Sequence, residues 1–208
     1  MGIVSSGAGC RRSGALAAAG VAALLLLAPQ SDARAADRIE AEIGCLALTI
    51  YYEARGEPEA GKRAVGYVVM NRARSGGFPT DVCDVVQQGG EVRHRCQFSW
   101  WCDGLSDRPR DKQALRHSLS LAQSIYHGCV PDPTAGALWF HATRVKPAWS
   151  KTSGPGKRIG RHVFYRGAPG IQTASADVRW RSAPRQAASA ACALPSKPPR
   201  NLVASSSS

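Results

Sequence analysis

Glu53 lies in the stretch "LTIYYEARGE", Leu48–Glu57, on a segment that is otherwise mostly apolar and aromatic. A carboxylate in such surroundings costs free energy unless it is paired or protonated. The spacing of its neighbours predicts a helix that ends just beyond it, so the negative end of the helix dipole also disfavours ionisation. Desolvation acts in the same direction. A carboxyl that keeps its proton near neutral pH is what a general acid for glycosidic bond cleavage needs. Arg55, two positions on, does not share a helix face with Glu53 and is discounted as its partner. The plainer alternative makes Glu53 and Glu57 a solvated surface pair with Arg55 and the basic residues that follow.

Most two-carboxylate glycosidases need a second acid at a fixed distance across the sugar. Asp81, Asp84, Asp103 and Asp107 are candidates, and spacing selects none of them. In the single-acid alternative, lytic transglycosylation, the sugar's own hydroxyl attacks and one carboxyl acts as acid and then as base. Aromatic residues that could offer platforms to sugar rings cluster in "CQFSWWCDG", in "LWFH" and at Trp149. Of these, Phe98, Phe140 and Phe164 read as ordinary core. Trp149, between Lys146 and Lys151, reads as the better surface candidate.

A metal centre is the weaker reading, since neither H-E-x-x-H nor C-x-x-C occurs and Cys96 to Cys102 is poor zinc spacing. His141 and His162 fall on adjacent predicted strands, where they could meet or simply hydrogen-bond locally. A cysteine peptidase built from Cys45 and those histidines is conceivable, but a disulfide role for Cys45 is the stronger expectation.

The elements that must position these residues are mainly helical. Ile43, Leu46, Ala47, Ile50 and Ala54 give the period of an amphipathic helix over Ile39–Arg55, with Gly56 as its stop. Pro58 can open a second helix through "EAGKRAVGYVVMNRA". "FPTDVCDVVQQGG" reads as a turn, a short helix and a glycine stop, and Pro109–His127 as a further helix. "GALWFHA" and "GRHVFYR" read as strands joined by a glycine-rich basic loop suited to a substrate-facing hairpin.

Residues 1–35 read as a signal peptide: Arg11 and Arg12, the apolar run Leu16–Ala28, then Ala33-Arg34-Ala35 as a cleavage site. The run is shorter than the roughly 20 apolar residues that span a bilayer. Contact with the membrane is therefore expected only transiently, through this leader. Residues 36–167 form the expected folded domain, and 168–208 an expected disordered, basic tail rich in Ala, Ser and Pro. Loss of the leader leaves 24 basic and 14 acidic residues, a net charge of +10. That balance suits an anionic partner, and export makes nucleic acid the least expected one. Six cysteines remain, which an oxidising compartment would pair. Cys96 could close a local loop with Cys102, or Cys83 could join one of them, and a core cysteine could stay free or pair with Cys192.

Four segments in order, "ALTIYYEARGEPEAGKRAVGYVVMNRARSGGFP", "VVQQGGEVRHRCQFSWWCDG", "GALWFHA" and "IGRHVFYR", resemble the SleB-type cell wall hydrolases, the spore cortex-lytic enzyme family. The resemblance runs from about Ile39 to Arg166. It implies a single α+β domain, mainly helical and lysozyme-like with a small β-hairpin, that cleaves peptidoglycan glycan strands between N-acetylmuramic acid and N-acetylglucosamine. It implies that Glu53, which opens "EARGE", is the catalytic acid, and that the products carry 1,6-anhydromuramyl ends. Many relatives carry asparagine where this chain has His141. Gln97, Ser99, Trp139, His141 and Trp149 are the expected sugar contacts, ranked below Glu53. No metal or organic cofactor is expected, and the protein is expected to be periplasmic or secreted. The basic loop and tail would hold the wall electrostatically. The competing readings are a water-using muramidase on the same site, a non-catalytic wall-binding module, and a peptidase or amidase.

Overall fold

The computed structural model describes residues 29–93, 95–167 and 192. The apolar run Leu16–Ala28 lies outside the described residues, as does the tail beyond Gly167 apart from Cys192. The chain divides into two units, 1–38 and 39–208. The described part of the first, 29–38, is helical.

The second unit is α+β and mainly helical. Helix α1, Pro29–Ala54, begins ten residues before the apolar pattern that announces it. Pro29 suits a first helical position, and the Ala-rich stretch after it has high helix propensity and no breaker. Helix α2, Glu59–Arg74, follows Pro58, and the short α3 spans Val82–Gln87. Helix α4 is Lys112–Tyr126, shorter at its start than the sequence pattern predicts. Asp111 sets that start by accepting hydrogen bonds from the backbone of Gln113 and Ala114 at 3.0 and 2.9 Å.

Helices α1, α2, α3 and α4 share one apolar core, to which Ile50, Tyr67, Val85 and Ile125 contribute. Gly66 makes the crossing possible, since a Cβ there would lie 2.7 Å from Ile125 and 3.0 Å from Ile50. Two further ties position α1. Glu42 accepts the backbone N–H of Val82 at 2.6 Å, capping α3 in place of that helix's own Asp81. The Tyr51 hydroxyl accepts from the backbone N–H of Asp111 at 3.1 Å, fixing the entry to α4.

The sheet has three antiparallel strands where the sequence shows two. Strands β1, Trp139–Ala142, β2, Lys157–Ile159, and β3, His162–Tyr165, lie in the order β1-β3-β2. The expected pairing of β1 with β3 is present, with His141 opposite Val163. The tight hairpin is instead β2–β3, because Gly160, at φ +59°, makes the turn within two residues. Phe140, Phe164 and Ile159 face Val65 and Val68 of α2 in a second cluster with Ala54.

Candidate active site

Glu53 is the penultimate residue of α1 and is half-buried. Burial alone pushes its carboxyl up to about 7. Among the described residues, no group hydrogen-bonds or ion-pairs with it. Arg55 lies with its guanidinium over the Tyr51 ring, 5.0 Å from the centroid. On the other side, Tyr52 stacks on Trp100, with ring centroids 5.0 Å apart and planes at 17°. The helix carrying Glu53 is thereby joined to the "QFSWW" turn. Burial raises the Tyr52 hydroxyl above its ordinary value, and Asp107 adds to that more than Asp103 does.

Glu57 is not a surface residue. Its side chain is 3% exposed and holds the β2–β3 turn. It accepts the Arg161 backbone N–H at 2.8 Å through Oε2 and the Arg161 Nε–H at 2.7 Å through Oε1. Arg161 also donates through Nη2 to the carbonyl of Gly56 at 2.9 Å. Burial disfavours the Glu57 anion, but the Arg161 backbone N–H and guanidinium, with His162 3.8 Å away, outweigh it and lower the pKa. The contact needs glycine at 160, where a Cβ would fall 2.1 Å from Oε2. Whereas Glu53 is left without a partner, Glu57 has several, and the two glutamates of "EARGE" differ accordingly.

Of the expected sugar contacts, Trp139, His141 and Trp149 come together. Strand alternation and register place Trp139, His141, Val163 and Tyr165 on the face of the sheet opposite Phe140 and Phe164. Trp149, from a turn of 3-10 helix at Ala148–Lys151, lies against three of them: Trp139 at 6.1 Å, His141 at 5.6 Å and Tyr165 at 5.4 Å between ring centroids. The sequence had it at the surface, but these contacts half-bury it. His141 is held by the carbonyl of Ala142 at 2.9 Å and the hydroxyl of Tyr165 at 3.1 Å. His162 is on the adjacent strand but the other face, so the two histidines do not form a pair. Gln97 and Ser99 have exposed side chains and flank Phe98, at the start of the 3-10 turn Ser99–Trp101. The structure does not bring them into the Trp139 cluster through any described contact.

Two participants escape a reading of the sequence. Tyr165 carries no motif, although the alternation of "HVFY" places it on the face of His141's neighbours once the register is known. Arg72 carries no motif either, but it shares a helical face with Val65, Val68 and Val69 and is 1% exposed. Its guanidinium stands 5.0 Å from the Phe78 and Trp139 rings and 5.5 Å from Phe98, and its Nε donates to Leu138 at 2.7 Å. Burial lowers its pKa to about 10. One cation thus ties β1 to the "QFSWW" turn through the faces of aromatic rings.

Disulfides join Cys45 to Cys83, Cys96 to Cys102 and Cys129 to Cys192. The alternative of Cys83 with Cys96 or Cys102 is excluded, because Cys83 on α3 faces Cys45 on α1 beside the Glu42 cap. With Cys45 bonded, no thiol is left there for a cysteine peptidase. Among the described residues, no three His, Cys, Asp or Glu are grouped to hold a metal ion, and no helix is long and apolar enough to cross a membrane.

Residues 56–165, just over half of the chain, match the family model described as Cell Wall Hydrolase. The chain belongs to the cell wall hydrolase family. The matched span contains the Glu57–Arg161 contact and the whole sheet, and it starts just after Glu53. Among curated relatives of this cell wall hydrolase, the spore cortex-lytic enzyme of Halalkalibacterium halodurans is 32% identical over 124 residues, 59% of this chain and 34% of that enzyme. Its counterpart in Bacillus subtilis is 30% identical over 124 residues, covering 59% and 37%. The chain thus spans well under half the length of these relatives. Two solved structures are also similar. The catalytic domain of the Bacillus cereus SleB protein is 28% identical, with 60% of this chain and 88% of that one covered and a TM-score of 0.46. The catalytic domain of the germination-specific lytic transglycosylase SleB from Bacillus anthracis is 30% identical, covering 60% and 93%, also with a TM-score of 0.46.

Proposed function

We propose that this cell wall hydrolase cleaves peptidoglycan glycan strands as a lytic transglycosylase, with Glu53 as its single acid and base. The observation that carries this reading is the state of Glu53, whose carboxyl is raised to about 7 by burial with no charged neighbour contributing. Glu53 donates its proton to the glycosidic oxygen as the bond from muramic acid C1 breaks. The O6 hydroxyl of the same muramic acid then bonds to C1 and returns its proton to Glu53. The enzyme is restored, and the product carries a 1,6-anhydro ring. No water is consumed, so no second carboxylate is needed to activate one. Paired glycosidase carboxylates lie about 5–9.5 Å apart, a range at which a second anion would add to the shift of Glu53.

The sugars would lie between the "QFSWW" turn, with Gln97 and Ser99, and the Trp139, His141 and Trp149 cluster. Residues 1–35 would direct export to the periplasm or beyond. The nearest rival, a water-using muramidase, has an observation in its favour. Asp107 acts on Tyr52, next to Glu53, and its own carboxyl is raised by burial and by Asp103. Release of soluble fragments from purified peptidoglycan tests for an enzyme: it should be lost in Glu53→Gln and should persist with thiol blockers and chelators. Release that survives Glu53→Gln would overturn the assignment of Glu53.

A further inference from the structure

Charge is unevenly divided between the two parts of the fold. Residues 39–132 carry eleven basic and twelve acidic side chains, whereas residues 133–167, which hold the sheet, carry seven basic and no acidic ones. These seven do not all have the same role. Arg161 is engaged by Glu57, and Lys157 donates to the carbonyl of Pro133 at 2.7 Å. Arg158, Lys146 and Lys151 are exposed, and no carboxylate pairs with them among the described residues, although Arg158 Nε donates to the carbonyl of Gly160 at 3.4 Å.

Their placement follows from the register. Arg158 stands opposite Val163 on β3, and Val163 stands opposite His141 on β1. Alternation puts the three side chains in one row on the same face of the sheet. The row spans two strand spacings, so Arg158 lies about 10 Å from His141. Lys157, one residue earlier, is on the other face, consistent with its bond to Pro133. Lys146 precedes and Lys151 ends the turn that lays Trp149 against Trp139, His141 and Tyr165. Three cations without a carboxylate partner among the described residues therefore border the cluster of Trp139, His141, Trp149 and Tyr165.

We infer that Arg158, Lys146 and Lys151 form a subsite for the carboxylates of the stem peptides on a peptidoglycan strand, so that the protein prefers peptide-bearing over peptide-free glycan. The inference rests on the reading that glycan lies across the sheet, as proposed above. Stem peptides branch from the muramic acid lactyl group of the strand itself. A sugar seated at His141 and Trp149 thus brings a chain of carboxylates within about 10 Å, the reach to Arg158. The cations are single and spread around the cluster, without the converging backbone N–H groups of a phosphate cradle. This geometry favours dispersed carboxylates over a phosphate polymer.

The test is binding, measured apart from cleavage. The Glu53→Gln form of the full chain is sedimented with intact peptidoglycan and with strands stripped of peptides by an amidase, over a range of salt. Intact strands should bind roughly tenfold more tightly at low salt, as expected for three exposed pairs, and salt should erase the difference. Arg158→Gln with Lys146→Gln and Lys151→Gln should abolish the preference, whereas Arg158→Lys alone should retain it. Equal binding to both strand types at low salt would overturn the inference, as would a preference unchanged in the triple variant. So would binding that follows an attached phosphate polymer and ignores the amidase. No preference in the Glu53→Gln form with all three cations in place, while the parent releases fragments, removes this inference alone. A preference in that form while the parent releases no fragments removes only the enzymatic reading.

Discussion

Glu53 lies on α1 and Glu57 in the bend just beyond its end, and their environments separate their roles. For Glu53 the raised pKa has a definite sign in both activity and stability. In its proposed role as general acid it must be protonated, so turnover should fall above pH about 7 and a pH-rate profile should show an alkaline limb there. In stability, a carboxyl raised in the folded state is tolerated below its ordinary value of 4.5 and becomes a cost as pH rises through about 7. Glu53→Gln should therefore be as stable as the parent at pH 4. At pH 8 it should be more stable by about 2 kcal/mol, after allowing for its partial exposure. Thermal melts at the two pH values check this, and a variant destabilised at pH 8 would contradict it. The apolar run around Glu53 made its raised pKa legible in the sequence. The same run gave no sign that Glu57 is buried, because its partner, Arg161, lies 104 residues away.

At the scale of elements, the Glu57 contact fastens the end of α1 to the β2–β3 turn, so it also holds the segment on which Glu53 sits. Its lowered pKa contributes stability above 4.5 that is lost as pH falls through the still lower folded value. Glu57→Gln leaves the guanidinium without its anion and one carboxylate bond unmade, at a cost of about 2 kcal/mol in denaturant melts. Gly160→Ala should cost at least as much, since it drives a methyl into Oε2 and strains a residue at φ +59°. If either variant melted like the parent, the contact would not be a fastening. The helices were readable from their apolar period, and strands β1 and β3 from their aromatic and branched residues. Strand β2, "KRI", was not, because three residues with two charges carry no alternation that separates a strand from a loop. Its existence depends on pairing with β3, which a local pattern does not encode.

At the scale of the molecule, disulfides and the buried Arg72 cation add further ties to those of the apolar core. Cys45–Cys83 closes a span of 38 residues that includes α2 and joins α1 to α3. Removing it as Cys45→Ser with Cys83→Ser should lower stability by about 3 kcal/mol through the entropy returned to the unfolded chain. Denaturant melts of the double variant check this, and a change below 1 kcal/mol, on the order of one hydrogen bond, would contradict it. The six cysteines showed that disulfides were expected, but three-dimensional proximity, not spacing, chose their partners. The same holds for the site. Trp139, His141 and Trp149 were each legible as aromatic or polar residues near strands. Their meeting with Tyr165 on one face depends on a register set by the whole sheet.

The central claim is that Glu53 works alone, with the sugar's own hydroxyl as nucleophile. Mass spectrometry of fragments released from purified peptidoglycan in 18O-enriched water tests it most directly. The prediction is 1,6-anhydromuramyl ends without 18O, absent when Glu53→Gln replaces the parent. Reducing muramic ends carrying 18O would contradict it, and would make a water-activating carboxylate, Asp107 first, part of the site.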